Sequence, residues 1–170
     1  MRRALLMLAA GWTLAGVGCA GYRLGPTNPE MTEGKTVQVS YFQNQTVEPR
    51  LVEAVNQNLR QAIQKDGSLK LNTGGDADIL VTGTLLEFER RPMSFQPRDV
   101  VSVTDYEVRL KARVKAVERV SGRVLFEREV IGRTTEIVGT DLPSAERQAV
   151  PLLASDLARN ITALLVEGAW

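Results

Sequence analysis

The chain has 170 residues, of which 44% are hydrophobic and 24% charged, and its formal net charge is +1. This length and ordinary composition predict one globular domain with a single core. The chain has no His and one Cys, which excludes His-based acid–base catalysis, His/Cys metal sites and internal disulfides. We therefore expect a protein that is not an enzyme, with no cofactor, no metal and no nucleic-acid partner.

Residues 1–18 have the pattern of a secretory signal peptide. Two arginines precede the apolar run 4–17, which is shorter than the roughly twenty residues that a membrane-spanning helix needs. Cys19 follows a glycine, as in bacterial lipoproteins, in which this thiol receives diacylglycerol and a palmitate-type acyl chain. The alternative is an ordinary secretory cleavage with an incidental cysteine. We expect lipidation at Cys19 and a tether over 19–34.

Residues 35–170 are expected to form the single folded domain. Alternating apolar residues predict a first strand over 37–42, and apolar residues four apart predict a helix over 49–65. A central strand is predicted over 79–89, because its first half is apolar on both faces. Within it, Gly83 is expected to admit the close approach of a helix.

The next stretch predicts a loop followed by a long antiparallel hairpin. Arg90, Arg91 and Pro92 are expected to end the central strand, and residues 92–97 to form a loop. From Thr104 onward apolar residues then alternate with basic ones, a period of two that places them on opposite faces of a strand.

Two loop lengths are possible for this hairpin. A two-residue loop at Ser121-Gly122 would place charged residues opposite Val130 and Gly132. A three-residue loop, with Gly122 at positive φ, shifts the pairing by one. Opposite charges then face each other across the strands, and we favour this register. It places Lys115 opposite Glu127, Arg113 opposite Glu129, and Arg128 inward opposite Val114, which indicates a bulge or an edge position there.

The C-terminal segment predicts a helix that begins near Asp141 and Pro143, with an apolar stripe from Val150 to Leu165. Pro151 is expected to kink this helix or to mark its true beginning. The predicted fold is an α+β two-layer sandwich of order β-α-β-β-β-α. It has a mixed four-stranded sheet, two helices on one face and the other face open.

Several segments of the chain, taken in order, resemble one protein family. They are Gly18-Cys19 followed by Gly21-Tyr22-Arg23-Leu24, the run Phe42-Gln43-Asn44-Gln45-Thr46, Glu48-Pro49, the run from Ala77 to Gly83, and Gly122-Arg123-Val124-Leu125. Their order and spacing resemble those of the LptE-like lipopolysaccharide-assembly lipoproteins of Gram-negative bacteria, along nearly the whole mature chain. The resemblance implies a lipid anchor on the periplasmic side of the outer membrane. It also implies a large β-barrel translocon of the LptD type as partner, in lipopolysaccharide transport and assembly.

A group of basic residues is the candidate ligand site. Lipopolysaccharide carries phosphates and acidic sugars, which Lys and Arg on a rigid strand can bind. In the favoured register Arg113 and Lys115 face glutamates, whereas other cations lack such compensation. The candidate lipopolysaccharide-binding residues are Arg109, Lys111 and Arg133, joined by Arg90 and Arg91. The alternative is a solvated sheet face with cross-strand ion pairs.

The loop over 92–97 is a second candidate site. Met93 and Phe95 are large apolar residues in a loop, and such residues bind partners or complete the core. The leading hypothesis is therefore a non-catalytic outer-membrane lipoprotein that assists a barrel and contacts lipopolysaccharide. The alternative is a periplasmic lipoprotein that activates a cell-wall synthase or serves as another envelope-assembly factor, because similar Phe-x-Asn-x-Thr strands occur there.

Overall fold

The computed structural model describes residues 34–96, 99–137 and 142–167. The predicted signal peptide and Cys19 lie outside these residues. The elements in chain order are β1 (Thr36–Val39), β2 (Gln43–Asn44), α1 (Leu51–Asp66), β3 (Lys70–Leu71), β4 (Ile79–Gln96), β5 (Asp99–Glu118), β6 (Val124–Ile137) and α2 (Leu142–Glu167).

The strands form one mixed six-stranded sheet in the order β3-β1-β4-β5-β6, with β2 paired to β4 beyond the end of β1. The pairs of β1 with β3 and β4, and of β2 with β4, are parallel. Strands β4, β5 and β6 form an antiparallel meander. The expected α+β architecture with two helices and a mixed sheet is confirmed, but the expected four strands are wrong. Strands β2 and β3 have two residues each, too few to leave a period-two pattern.

Strands β5 and β6 pair in the register that the sequence favoured. Arg113 lies opposite Glu129, and Lys115 lies opposite Glu127. This register keeps Val108, Leu110, Ala112 and Val114 of β5 and Val130 of β6 on the buried face, where a shift of one residue would have exposed them.

The turn between these strands is longer than expected. Gly122 has the positive φ of 69° that the prediction required. However, the Glu118 N–H donates to the Arg123 carbonyl oxygen at 2.9 Å, so four residues lie between the paired positions. The three-residue loop is therefore wrong, and a β-bulge at Leu125 restores the predicted register further along β6.

Strand β4 does not end near Arg90, and the predicted loop over 92–97 is wrong. The strand continues to Gln96, and Pro92 pairs with Tyr106 of β5. The pairing shifts between Pro92 and Ser94 and at two further steps toward the strand end. Proline is tolerated there because an irregular ladder does not require its missing N–H.

Both helices pack on the same face of the sheet. The α1 residues Leu51, Val55, Leu59 and Ile63 are buried, and so are alternate residues of β4 and β5. Helix α1 begins two residues after the predicted Pro49 and ends at Asp66, where Gly67 caps it by donating its N–H to the Ile63 carbonyl at 3.1 Å.

Helix α2 contains Pro151 in its interior, so Pro151 does not mark its beginning. The predicted cap at Asp141 lies outside the described residues. The segment Arg147–Glu167 is apolar and long enough to span a membrane by composition alone. Its apolar stripe, Leu153, Leu157, Ile161 and Leu165, is fully buried in the core, which accounts for that composition.

Two glycines permit close packing in this core. A Cβ on Gly132 of β6 would lie 2.7 Å from the Leu157 Cβ of α2, so the helix touches the strand backbone there. A Cβ on Gly83 would lie 2.3 Å from the ring of Phe42. The neighbour of Gly83 is thus an aromatic side chain rather than the helix that the sequence predicted.

Helix α2 also covers part of the sheet edge formed by β6. The Arg133 N–H donates to the Asp156 carboxylate at 2.9 Å, and the Asn160 amide donates to the Ile131 carbonyl at 2.9 Å. Covering these backbone groups protects an edge strand from pairing with other chains. Arg128 lies opposite Val114 and is exposed, which agrees with the predicted edge position.

Candidate functional site

The sheet face away from the helices, here called the open face, carries rows of charged side chains from β4, β5 and β6. Its cations are Arg91, Arg109, Lys111, Arg113, Lys115 and Arg133, and its glutamates are Glu87, Glu89, Glu107, Glu127 and Glu129. Six cations against these five glutamates and Asp105, which shares the face at the far end of β5, leave the open face close to neutral.

An ion pair between β5 and β4 occupies the centre of the open face. The Lys111 Nζ lies 2.7 Å from Glu87 Oε2. This hydrogen bond raises the pKa of Lys111 and lowers the pKa of Glu87, so both groups are charged at neutral pH. Their side chains are 36% and 43% exposed. An exposed pair of this kind contributes about 0–1 kcal/mol, so a competing anion can displace the glutamate at low cost.

The expectation that Arg109 and Lys111 lack acidic partners is wrong. Arg109 lies 2.6 Å from Glu107 of its own strand, and Lys111 binds Glu87 of β4. Glu107 lies two residues before Arg109 on the same strand face, so this partner is visible in the sequence, whereas the position of Glu87 depends on the β4–β5 register, which the sequence does not fix. The pairs predicted across to β6 are present: Arg113 and Lys115 each lie 3.2 Å from their glutamates.

Arg133 is the exposed cation of this group that keeps an uncompensated charge. Its side chain has no ion pair within the described part of the chain, and it lies directly opposite Arg109 in the β5–β6 register. Arg91 also lies on the open face, where its guanidinium is 2.7 Å from Glu89. The structure thus brings Arg91, Arg109, Lys111 and Arg133 together on one surface.

A shallow cavity of about 320 Å³ lies among these side chains, lined by Glu87, Glu89, Arg91, Arg109, Lys111 and Ile131. Its three cations can donate charge-assisted hydrogen bonds to phosphate or carboxylate oxygens. Its two glutamates repel an incoming anion unless that anion displaces them from their cations or carries bound cations of its own. The geometry therefore fits an anionic group of a larger ligand better than a free small anion.

Arg90 lies on the opposite, helix-facing side of the sheet. Its Nε is 3.3 Å from Oε2 of Glu136, whose side chain is 1% exposed, and its guanidinium lies over the Phe88 ring. The placement follows from a β-bulge at Leu86, which reverses the alternation of β4. Grouping Arg90 with the open-face cations was therefore wrong. The alternation Glu87-Phe88-Glu89 is the sequence signal that could have revealed this placement, because Arg90 continues the alternation on the same side as Phe88.

The two candidate partner-binding residues lie near the β4–β5 hairpin end, away from the central ion pair. Met93 is 60% exposed, so it does not complete the core. The backbone of Phe95 pairs with Val103, and its side chain lies outside the described structure. Both belong to a paired strand rather than to the loop that the sequence predicted.

The described residues contain no group of three or more Asp, Glu, His or Cys side chains that could hold a metal ion. Asp78 is held by the start of β1, where its carboxylate accepts hydrogen bonds from the Thr36 N–H and Oγ1, both at 2.8 Å. These bonds lower its pKa and give it a structural role.

The fold resembles several solved bacterial proteins at low sequence identity. A DUF330 protein from Xanthomonas campestris has a TM-score of 0.64 and 10% identity, covering 89% of this chain and 92% of that one. A putative lipoprotein from Caulobacter crescentus has a TM-score of 0.51 and 15% identity, covering 76% and 89%. A minor lipoprotein from Acinetobacter baumannii has a TM-score of 0.52 and 14% identity, covering 78% and 92%. No curated protein sequence matches the chain.

These likenesses define the class as a two-layer α+β domain of the type found in several bacterial lipoproteins. A family model described as lipopolysaccharide-assembly, LptE, matches residues 34–165. The chain therefore belongs to the LptE family, as its sequence motifs indicated. This family consists of non-catalytic lipoproteins that associate with the LptD translocon.

Proposed function

We propose that this protein is a lipid-anchored, non-catalytic partner of an LptD-like β-barrel translocon at the periplasmic side of the outer membrane. The supporting observation is the family match over residues 34–165, which includes all six strands of the described sheet, α1, and α2 except its last two residues. Cys19 would carry the acyl chains, and residues 19–34 would tether the domain. Met93, which is exposed, and Phe95, two residues further along β4, would contact the barrel.

We further propose that the open face contacts lipopolysaccharide during assembly. Lipopolysaccharide phosphates would displace glutamates from Lys111 and Arg109, each in an exposed or half-buried ion pair. Arg133, which has no described acidic partner, would supply the uncompensated charge, and Arg91 would border the same cavity. Arg90 is excluded from this contact because it lies on the opposite side of the sheet, where it binds Glu136.

Co-purification tests the assembly function. Outer membranes solubilised in mild detergent should yield a large β-barrel protein together with the affinity-tagged chain. Replacing Met93 by Ser should reduce the barrel yield, whereas Leu152→Ser, an exposed apolar residue on α2, should not. Recovery of a cell-wall synthase in place of a barrel would contradict the proposal.

Charge reversal tests the ligand contact. Arg109→Glu combined with Lys111→Glu should weaken lipopolysaccharide binding to the purified chain by about tenfold or more, since charge-assisted hydrogen bonds contribute roughly 1.5–3 kcal/mol each. The matched control is Arg113→Glu with Lys115→Glu, which makes the same charge change on the same strand outside the cavity. Equal losses in both variants would show that only the overall charge matters.

A further inference from the structure

The domain end where the tether enters presents an exposed apolar residue. We call it the tether end and define it by Lys35 and the β5–β6 turn with its flanks, residues 118–124. Val120, at the tip of the turn, is 93% exposed, and Val124 is 46% exposed. Core packing therefore does not account for an apolar side chain at the tip.

The turn is firmly attached to the body of the domain. The Gly122 N–H donates to the Glu118 carbonyl at 2.9 Å, which closes the turn. The Arg119 N–H donates to the Asp78 carbonyl at 2.8 Å, and its guanidinium donates to the Ala77 carbonyl at 3.1 Å. These bonds fix the turn to the segment that leads into β4, so Val120 is held outward by a rigid support.

Cations surround this apolar tip. The Arg119 guanidinium donates to a backbone carbonyl and to the Gln38 amide oxygen, both neutral groups. Lys35 and Arg123 lie 3.3 and 3.7 Å from Glu118 and share that one carboxylate. Three cations against two carboxylates, Glu118 and the nearby Asp78, leave the tether end with a small excess of positive charge.

The proposed tether keeps this end close to a membrane. Fifteen residues, 20–34, separate Cys19 from Lys35. Fully extended they would reach at most about 50 Å, and as a flexible coil they would span roughly 20 Å. The first described residues lead directly into β1, at the same end of the sheet as the turn, because Lys35 binds Glu118.

We propose that the tether end contacts the phospholipid surface that holds the anchor. Val120 enters the headgroup region, and Arg119 and Arg123 meet the lipid phosphates. This inference rests on the proposed lipidation of Cys19. The contact holds the β5–β6 turn against the membrane surface beside the anchor.

The test places an environment-sensitive fluorophore on Val120→Cys in the lipidated chain, whose own cysteine is then blocked by acylation. The chain is inserted into vesicles of phosphatidylethanolamine and phosphatidylglycerol. Probe emission at position 120 should rise and shift to the blue relative to the chain in detergent. The matched control, Leu152→Cys, labels an exposed residue on α2 and should show no shift. Adding Arg123→Gln should lower the ratio of chains whose turn contacts the membrane to chains whose turn does not. The expected change is roughly fivefold, because one cation near an anionic surface contributes about that factor.

An unchanged spectrum at position 120, or equal shifts at positions 120 and 152, would overturn the proposal. Two labels per chain would show that Cys19 is not acylated and would also overturn it. Recovery of the barrel in the co-purification reports separately on the assembly function.

Discussion

Replacing Gly132 by Ala should destabilise the domain by forcing α2 away from β6. The new Cβ would lie 2.7 Å from the Leu157 Cβ, 2.8 Å from the Leu157 nitrogen and 2.9 Å from the Leu153 carbonyl oxygen. Two of these three atoms belong to the helix backbone, so no side-chain rotation can relieve the overlap. Overpacking of this kind costs about 1–3 kcal/mol in the free energy of unfolding.

Thermal unfolding followed by circular dichroism measures this effect. For a domain of this size the loss corresponds to a fall of about 3–12 °C in Tm. The control is Gly74→Ala, at an exposed glycine where the nearest atom to a new Cβ is a side-chain oxygen of Asn72 at 3.3 Å. That variant should stay within about 0.5 kcal/mol of the wild type. Equal Tm values for the two variants would refute the close packing of α2 on β6.

Three further predictions concern stability and anchoring. Hydrogen bonds from Thr36 lower the pKa of Asp78 in the folded state below its ordinary value of 3.8. The ionised Asp78 therefore stabilises the fold above pH 3.8, and this stabilisation is lost as the pH falls through the lowered pKa of the folded state. Urea unfolding should therefore show Asp78→Asn less stable than wild type at pH 7, with a smaller gap at acid pH; a constant gap would contradict this. Glu136→Ala should lower the free energy of unfolding by about 1–3 kcal/mol, because it breaks a largely buried ion pair with Arg90. Adding Arg90→Met should recover part of that loss in a double-mutant cycle, and additive losses would argue against the pair. Cys19→Ala should release a soluble periplasmic form, detected by fractionation, and a variant that stays in the membrane fraction would exclude the lipid anchor.

The central hairpin could be predicted from sequence because two independent patterns agree there. Alternating apolar residues fixed which face of β5 is buried, and the charges of Arg113 and Lys115 selected their partners on β6. The turn was predicted less well, since a bulge at Leu125 offsets a longer loop and leaves the same register. Many combinations of loop and bulge satisfy one charge pattern.

The outer part of β4 could not be predicted because local signals opposed the tertiary structure. Pro92 and two arginines are typical of a strand end, yet long-range pairing with β5 carries the strand to Gln96. The bulge at Leu86 also moved Arg90 to the helix side, where it binds Glu136. For the same reason the sequence could place Arg109 and Lys111 on one face of β5, but it could not show that Arg90 leaves that face or that Glu87 of β4 pairs with Lys111.

The most direct test is to map, in living cells, which residues of the protein lie in contact with lipopolysaccharide. A photo-crosslinking amino acid at Lys111, in the centre of the open face, should yield adducts that react with antibodies to lipopolysaccharide. The same amino acid at Gln57, exposed on the outer side of α1, should yield none. Adducts at Gln57 with none at Lys111 would contradict the assignment of the open face as the lipopolysaccharide-contacting surface.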